Sequence, residues 1–237
     1  MIKIVKGPEP EVLTRKRKNA EKKHATPNDA YASLSSSDKK TIRESLVHDQ
    51  GKLCAYCMCR IPRSGLPQGV TPIIIEHRIP RNPKNGLDVG QGLDYNNLFA
   101  VCNGNTGKKG TRTKMDLTCD AYKSNLFLKK VNPVDEETLS TISYTTSGKI
   151  LAKDEDVQYD LTEVLNLNSK RAPLISERKA VIMQVMQQLN QVRGKGEAEF
   201  IKAALAKYEK ETDPKTPYVG VITWYLNSFL KSVENRS

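Results

Sequence analysis

Two of the five cysteines in this 237-residue chain, Cys54 and Cys57, are separated by two residues. That spacing constrains the fold more than any other feature. Two thiolates so placed bind one ion at roughly 2.3 Å, because the backbone turns tightly between them. A closed tetrahedral zinc site needs two further ligands. Cys102 and Cys119 are available, flanking a loop instead of forming a second C-x-x-C pair. Cys59 lies too near Cys57 to be an obvious ligand and is read as spare. A thioredoxin-like redox pair would need a βαβ pattern around it, and none is read here. Five is also too few, and odd, for a disulfide framework, so metal binding in a reducing cytoplasm is expected.

Composition narrows the partner. The formal charge is +11, with 38% hydrophobic residues and one Trp. A basic balance favours an anionic partner, nucleic acid ahead of a membrane surface. No run of 18 apolar residues exists, and charge follows Met1 to Val5, so neither a membrane span nor a secretion signal is expected. The charge is uneven. Residues 1–24 carry eight Lys/Arg against three Glu, residues 100–130 carry seven against two Asp, and the last forty are near neutral.

The pattern predicts an α+β chain in three parts. Residues 1–50 read as a basic arm, extended over 1–30, then a helix opened by Ser35 to Asp38 with Ile42 and Leu46 on its apolar stripe. Residues 51–132 hold the cysteines. There a short turn spans Leu53 to Ile61, and the β-branched run Ile73-Ile74-Ile75 delivers Glu76 and His77. Asn97 to Val101 lead into Cys102, and a helix is expected from Asp120 to Leu128. Residues 133–237 read as a hairpin between Thr138 and Ile150, a capping box at Asp160 to Glu163, and helices bearing Val181, Ile182, Val185, Met186 and Leu189, then Ile201, Leu205 and Tyr208, then Val221, Tyr225, Phe229 and Leu230. A phosphate-binding P-loop near Gly107 fails on spacing, since Cys102 and Lys109 occupy the first Gly and the Ser/Thr positions.

The order C-x-x-C, Glu76-His77-Arg78-Ile79-Pro80, Asn97-Leu98, Cys102, then Cys119-Asp120-Ala121-Tyr122-Lys123 resembles the HNH endonuclease family. The resemblance covers about seventy residues. It implies a zinc-stapled ββα-metal module embedded in a mainly helical chain. His77 matches the general base, and Glu76 and Asp120 match the ligands of a catalytic Mg²⁺ or Mn²⁺. Many members carry Asp where this chain has Glu76. Asn97 matches the brace that orients the histidine, with Asn96 one position away as the alternative. Asn105 falls where two-knuckle members carry a cysteine, so Cys119 and Asn105 both stand as candidates for the fourth zinc position. Arg78, Lys108, Lys109, Arg112, Lys114 and Lys123 are the expected nucleic-acid contacts. Tyr56, Tyr95 and Tyr122 are candidates for stacking or for the core.

More narrowly, the chain is similar to HNH subunits of Septu-type and retron-associated anti-phage systems. That implies a toxic effector working with an ABC/SMC-like ATPase and, in the retron branch, with a reverse transcriptase and its msDNA. Residues 157–237 are the segment expected to make that contact. DNA is the first substrate, structured RNA such as tRNA the second. The competing reading is a non-catalytic zinc-knuckle binder or adaptor, which would need the cysteines but neither His77 nor Glu76.

Overall fold

A computed structural model describes residues 1–64, 68–69, 71–82, 92–106, 113–194 and 196–235. The chain opens with three helices, α1 (Glu11–Lys22), α2 (Pro27–Ala32) and α3 (Ser36–Asp49). The expected extended arm is therefore a helical pair over much of its length. Glu11 and Lys22 complement the dipole of α1, Val12 and Leu13 are its buried residues, and the Arg/Lys run is made of good helix formers. Thr26 caps α2 on the amide of Asp29 at 3.1 Å, with Pro27 preset for the first turn. Ser35 and Asp38 form the expected capping box on α3, which buries Ile42 and Leu46.

Two five-residue strands follow, β1 (Ile73–His77) and β2 (Leu98–Cys102), paired antiparallel with His77 opposite Leu98 and Ile73 opposite Cys102. The outer edge of β2 is closed by a side chain. Gln50, buried at the end of α3, accepts from the Ala100 amide at 2.8 Å and donates to the Ala100 and Leu53 carbonyls at 2.6 and 2.8 Å. This one amide ties helix, strand and cysteine turn together. A short helix, α4 (Cys119–Lys123), packs on β2. It ends before the expected Leu128, because Ser124 takes a φ of 53° and turns the chain away. Leu126 and Phe127, the apolar residues a longer helix would carry, are each 36% exposed.

The remainder holds α5 (Glu136–Ser140), a hairpin of β3 (Ile142–Tyr144) and β4 (Ile150–Ala152), then α6 (Glu155–Tyr159) running into a π-helical turn over Asp160–Val164. Asp154, not Asp160, caps α6, accepting from the Asp156 and Val157 amides at 3.0 Å. Asp160 is fully buried instead. Its carboxylate accepts from the amides of Lys129, Lys130 and Val131 at 2.8, 2.7 and 2.8 Å. Helices α7 (Leu174–Gln191), α8 (Glu197–Glu209) and α9 (Val219–Glu234) close the chain. Ile182, Val185 and Leu189 face inward as expected, whereas Met186 is 40% exposed on the rim of that stripe. The main apolar core takes residues from Met1 to Val221, and a smaller one joins α7, α8 and α9. Among the described residues no helix is long and apolar enough to cross a membrane.

Asp160→Ala would leave three amides without their acceptor, one of them, that of Val131, buried. A loss on the order of 4 kcal/mol is expected in the unfolding free energy from urea titration, with a smaller loss for Asp160→Asn, which keeps one oxygen.

Candidate metal centre and adjoining cavity

The cysteine turn and the strand end meet at α4. The four thiols of Cys54, Cys57, Cys102 and Cys119 are buried and lie within 4.8 Å of one another. Sγ–Sγ distances are 4.0 Å for Cys54–Cys119 and 3.8 Å for both Cys57–Cys102 and Cys102–Cys119. A tetrahedron with metal–sulfur bonds of about 2.3 Å has edges of about 3.8 Å. The donor set therefore fits a structural zinc ion in chemistry and in size. The neighbouring Cys119 thiol is the largest cause that lowers the Cys102 thiol to about 6. Cys59 is buried beside the cluster but is not among the four.

Cys119, not Asn105, is the fourth member. Asn105 spends its amide on the Asp116 carbonyl at 2.9 Å. The segment that brings Cys119 back is anchored twice. Gly104, at φ +59°, lets the backbone pass so closely that a Cβ would lie 2.3 Å from the Thr118 carbonyl oxygen. On the other side, Asn166 donates to the Leu117 carbonyl at 2.8 Å, and the Cys119 amide donates to the Leu165 carbonyl at 2.9 Å.

Helix α4 also reaches a cavity of about 330 Å³, which Asp120 lines together with Glu76 and His77 from β1. His77 is buried, and its Nε2 lies 3.1 Å from the Gly92 carbonyl oxygen. A carbonyl only accepts, so Nε2 carries the hydrogen and Nδ1 keeps its lone pair. Burial lowers the imidazole to about 4, so it is neutral at physiological pH. Tyr31 meets the ring edge-on, centroids 4.6 Å apart. Asn97 grips the backbone just beyond: its Oδ1 accepts from the Ile79 amide at 2.7 Å and its Nδ2 donates to the Ile79 carbonyl at 3.0 Å. The brace that the resemblance implies for Asn97 is at the histidine; these side-chain contacts fall at Ile79, two residues beyond it.

Glu76 is buried with its Oε1 accepting from Lys123 Nζ at 2.8 Å and from Tyr56 Oη at 3.1 Å. Burial, and then the charge of Asp120 beside it, push the Glu76 carboxyl well above its usual range despite Lys123.

Lys123 corrects an expectation. It is fully buried, and its ammonium also donates to the His77 carbonyl at 3.0 Å, so it serves as an internal counterion and does not meet nucleic acid. Arg78 is half-buried and gives its Nε to the Val131 carbonyl at 2.8 Å. Lys114 is exposed over the Tyr122 ring at 4.9 Å. Lys108, Lys109 and Arg112 lie outside the described residues. Tyr56 and Tyr95 are core residues. The sequence reading missed Tyr31, Arg43 and Arg81, which line the same cavity from outside the cysteine–histidine motif.

No family model matches the sequence, and no curated protein matches it closely enough to count as a relative.

Cys119→Ser is expected to lose zinc on dialysis against a chelator, whereas Cys59→Ser keeps it, as read by metal analysis of the purified chains. Lys123→Met strands a buried carboxylate and should cost about 3 kcal/mol of unfolding free energy, part of which Glu76→Gln in the same chain restores.

Proposed function

We propose that this chain is a metal-dependent nuclease of the HNH type, hydrolysing phosphodiester bonds in nucleic acid, DNA first and structured RNA second. One observation carries the reading. A buried, neutral imidazole with its Nε2 hydrogen tied to a carbonyl shares a cavity with an adjacent pair of carboxylates. Strand β1 supplies the imidazole and one carboxylate and α4 supplies the other, with β2 paired antiparallel to β1, and this order resembles the ββα-metal module.

In this reading His77 Nδ1 takes the proton of a water as the water oxygen adds to phosphorus and the bond to the leaving oxygen breaks. Lys123 holds the carbonyl of His77 and Asn97 holds the backbone at Ile79, so the base is positioned before substrate arrives. Glu76 and Asp120 would hold Mg²⁺ or Mn²⁺, which when bound takes up negative charge on the phosphate and on the leaving oxygen. Zinc on the four cysteines would fix the knuckle against α4. Tyr56, inside the C-x-x-C turn, reaches Glu76 and so carries that rigidity to the cavity.

The resemblance extends the proposal to an effector of an anti-phage complex acting with an ABC/SMC-like ATPase, contacted through residues 157–237.

The test is incubation with DNA and with total RNA in Mg²⁺ or Mn²⁺, with and without the neighbouring ATPase. His77→Ala should abolish cleavage, at least a hundredfold, roughly the size of a general base's contribution, while zinc content stays intact. Full cleavage by that variant would sink the assignment. Retained nucleic-acid binding with no turnover by the parent chain, in any metal, would favour a non-catalytic zinc-knuckle binder.

A further inference from the structure

The cavity around His77 has a cationic side that the motif does not supply. Tyr31 comes from α2, Arg43 from α3, and Arg81 from the segment just after β1. Arg81 lies over the Tyr31 ring, its Cζ 4.7 Å from the centroid, and one of its Nη atoms donates to Asn28. Arg43 gives its Nε to the Ile73 carbonyl at 3.1 Å, the first residue of β1. A guanidinium has five N–H donors in a rigid fork. Neither of these arginines forms an ion pair among the described residues, where Arg15, Arg17, Arg63 and Arg171 all do. Both are half-buried and line the cavity.

The charge balance explains what such groups are for. Two carboxylates line or adjoin this cavity, and Lys123 already answers Glu76. With Glu76 answered from beneath by Lys123, the two guanidiniums on the walls face one remaining carboxylate, Asp120. An anion is therefore drawn to a place that holds acids. A planar fork matches the non-bridging oxygens of a phosphodiester better than a lysine does.

We propose that Arg43 and Arg81 form a clamp for a nucleic-acid phosphodiester at the His77 cavity, with Tyr31 supporting Arg81. The identity of the ligand rests on the nuclease reading, but the clamp itself rests on the two arginines and the cavity. It also gives the N-terminal helices a part in substrate binding, since α2 and α3 supply two of the three side chains.

The clamp is tested by binding, in the absence of turnover. Isothermal calorimetry of the full His77→Ala chain uses bis(4-nitrophenyl) phosphate, a minimal diester, with Mn²⁺ present. Arg43→Gln and Arg81→Gln should each weaken binding roughly tenfold, and Lys149→Gln, on the distant hairpin turn, should not change it. Zinc content and the unfolding midpoint report whether each variant is folded. Should Arg43→Gln lose its zinc, Arg81→Gln decides the question alone. Unchanged affinity in folded Arg81→Gln, or no binding by the His77→Ala parent, overturns the clamp. Arginine-dependent binding of the diester, together with no cleavage of nucleic acid by the unsubstituted chain in any metal, would sink the nuclease reading and leave the clamp standing.

Discussion

One turn of helix, Cys119 to Lys123, joins everything of chemical interest in this molecule. Cys119 reaches the thiol cluster, Asp120 lines the cavity, and Lys123, four residues after Cys119, pairs with Glu76. Residues at i and i+4 project from one helix face, so the two sites cannot move independently. A helix of five residues has no stability of its own. It is held by the contacts it makes: the Cys119 amide on Leu165, and the Lys123 ammonium on Glu76 and on the His77 carbonyl; a metal on the thiol cluster would add one more. Zinc binding and the geometry of the cavity are thereby one structural event, since a metal that fixes Cys119 also fixes the position of Asp120 and Lys123.

The electrostatics beneath the cavity follow from burial. Glu76, His77 and Lys123 are removed from water together, and each is stabilised by specific partners. Lys123 gives hydrogens to Glu76 and to the His77 carbonyl. His77 gives up its charge, and burial is the larger cause. Glu76 sits between these outcomes, drawn toward ionisation by Lys123 and away from it by burial and Asp120. A dication at the carboxylate pair would resolve that conflict in favour of the charged form.

The parts of this arrangement legible in the sequence are those set by short-range pattern. The C-x-x-C pair, the Ile73 to Ile75 run before Glu76 and His77, and the Ser35 capping box each have a local cause, and each forms as expected. The grouping of Cys119 with the other thiols depends on contacts from Asn166 and Leu165 to the returning segment, nearly fifty residues away in sequence, and spacing alone leaves Asn105 open. Lys123 reads as a surface cation because burial depends on what packs over it. Asp160 reads as a cap because Asp-x-x-Glu is a local signal, and the three amides it serves lie about thirty residues earlier. Tyr31, Arg43 and Arg81 carry no signal, since they join the cavity only when α2 and α3 pack beside β1. Helix α1 is hidden because a run of like charge suggests an extended arm, whereas Val12 and Leu13 supply enough apolar anchor to dock a helix.

The buried polar groups also bear on which reading of the site is favoured. A chain that needed only a zinc knuckle for binding would gain little by burying Glu76, Lys123 and His77 in the same module as the thiols. Apolar side chains of similar volume at these positions are often as stabilising as an ion pair, or more so. Tyr56 could pack there as phenylalanine without seeking an acceptor. Asn97 adds a further buried polar group, and its amide is spent on the backbone at Ile79. Groups of this kind cluster where proton transfer and charge stabilisation need fixed geometry. Glu76 is the strongest case, because burial and the charge of Asp120 both disfavour its ionised form and it is kept in the fold all the same.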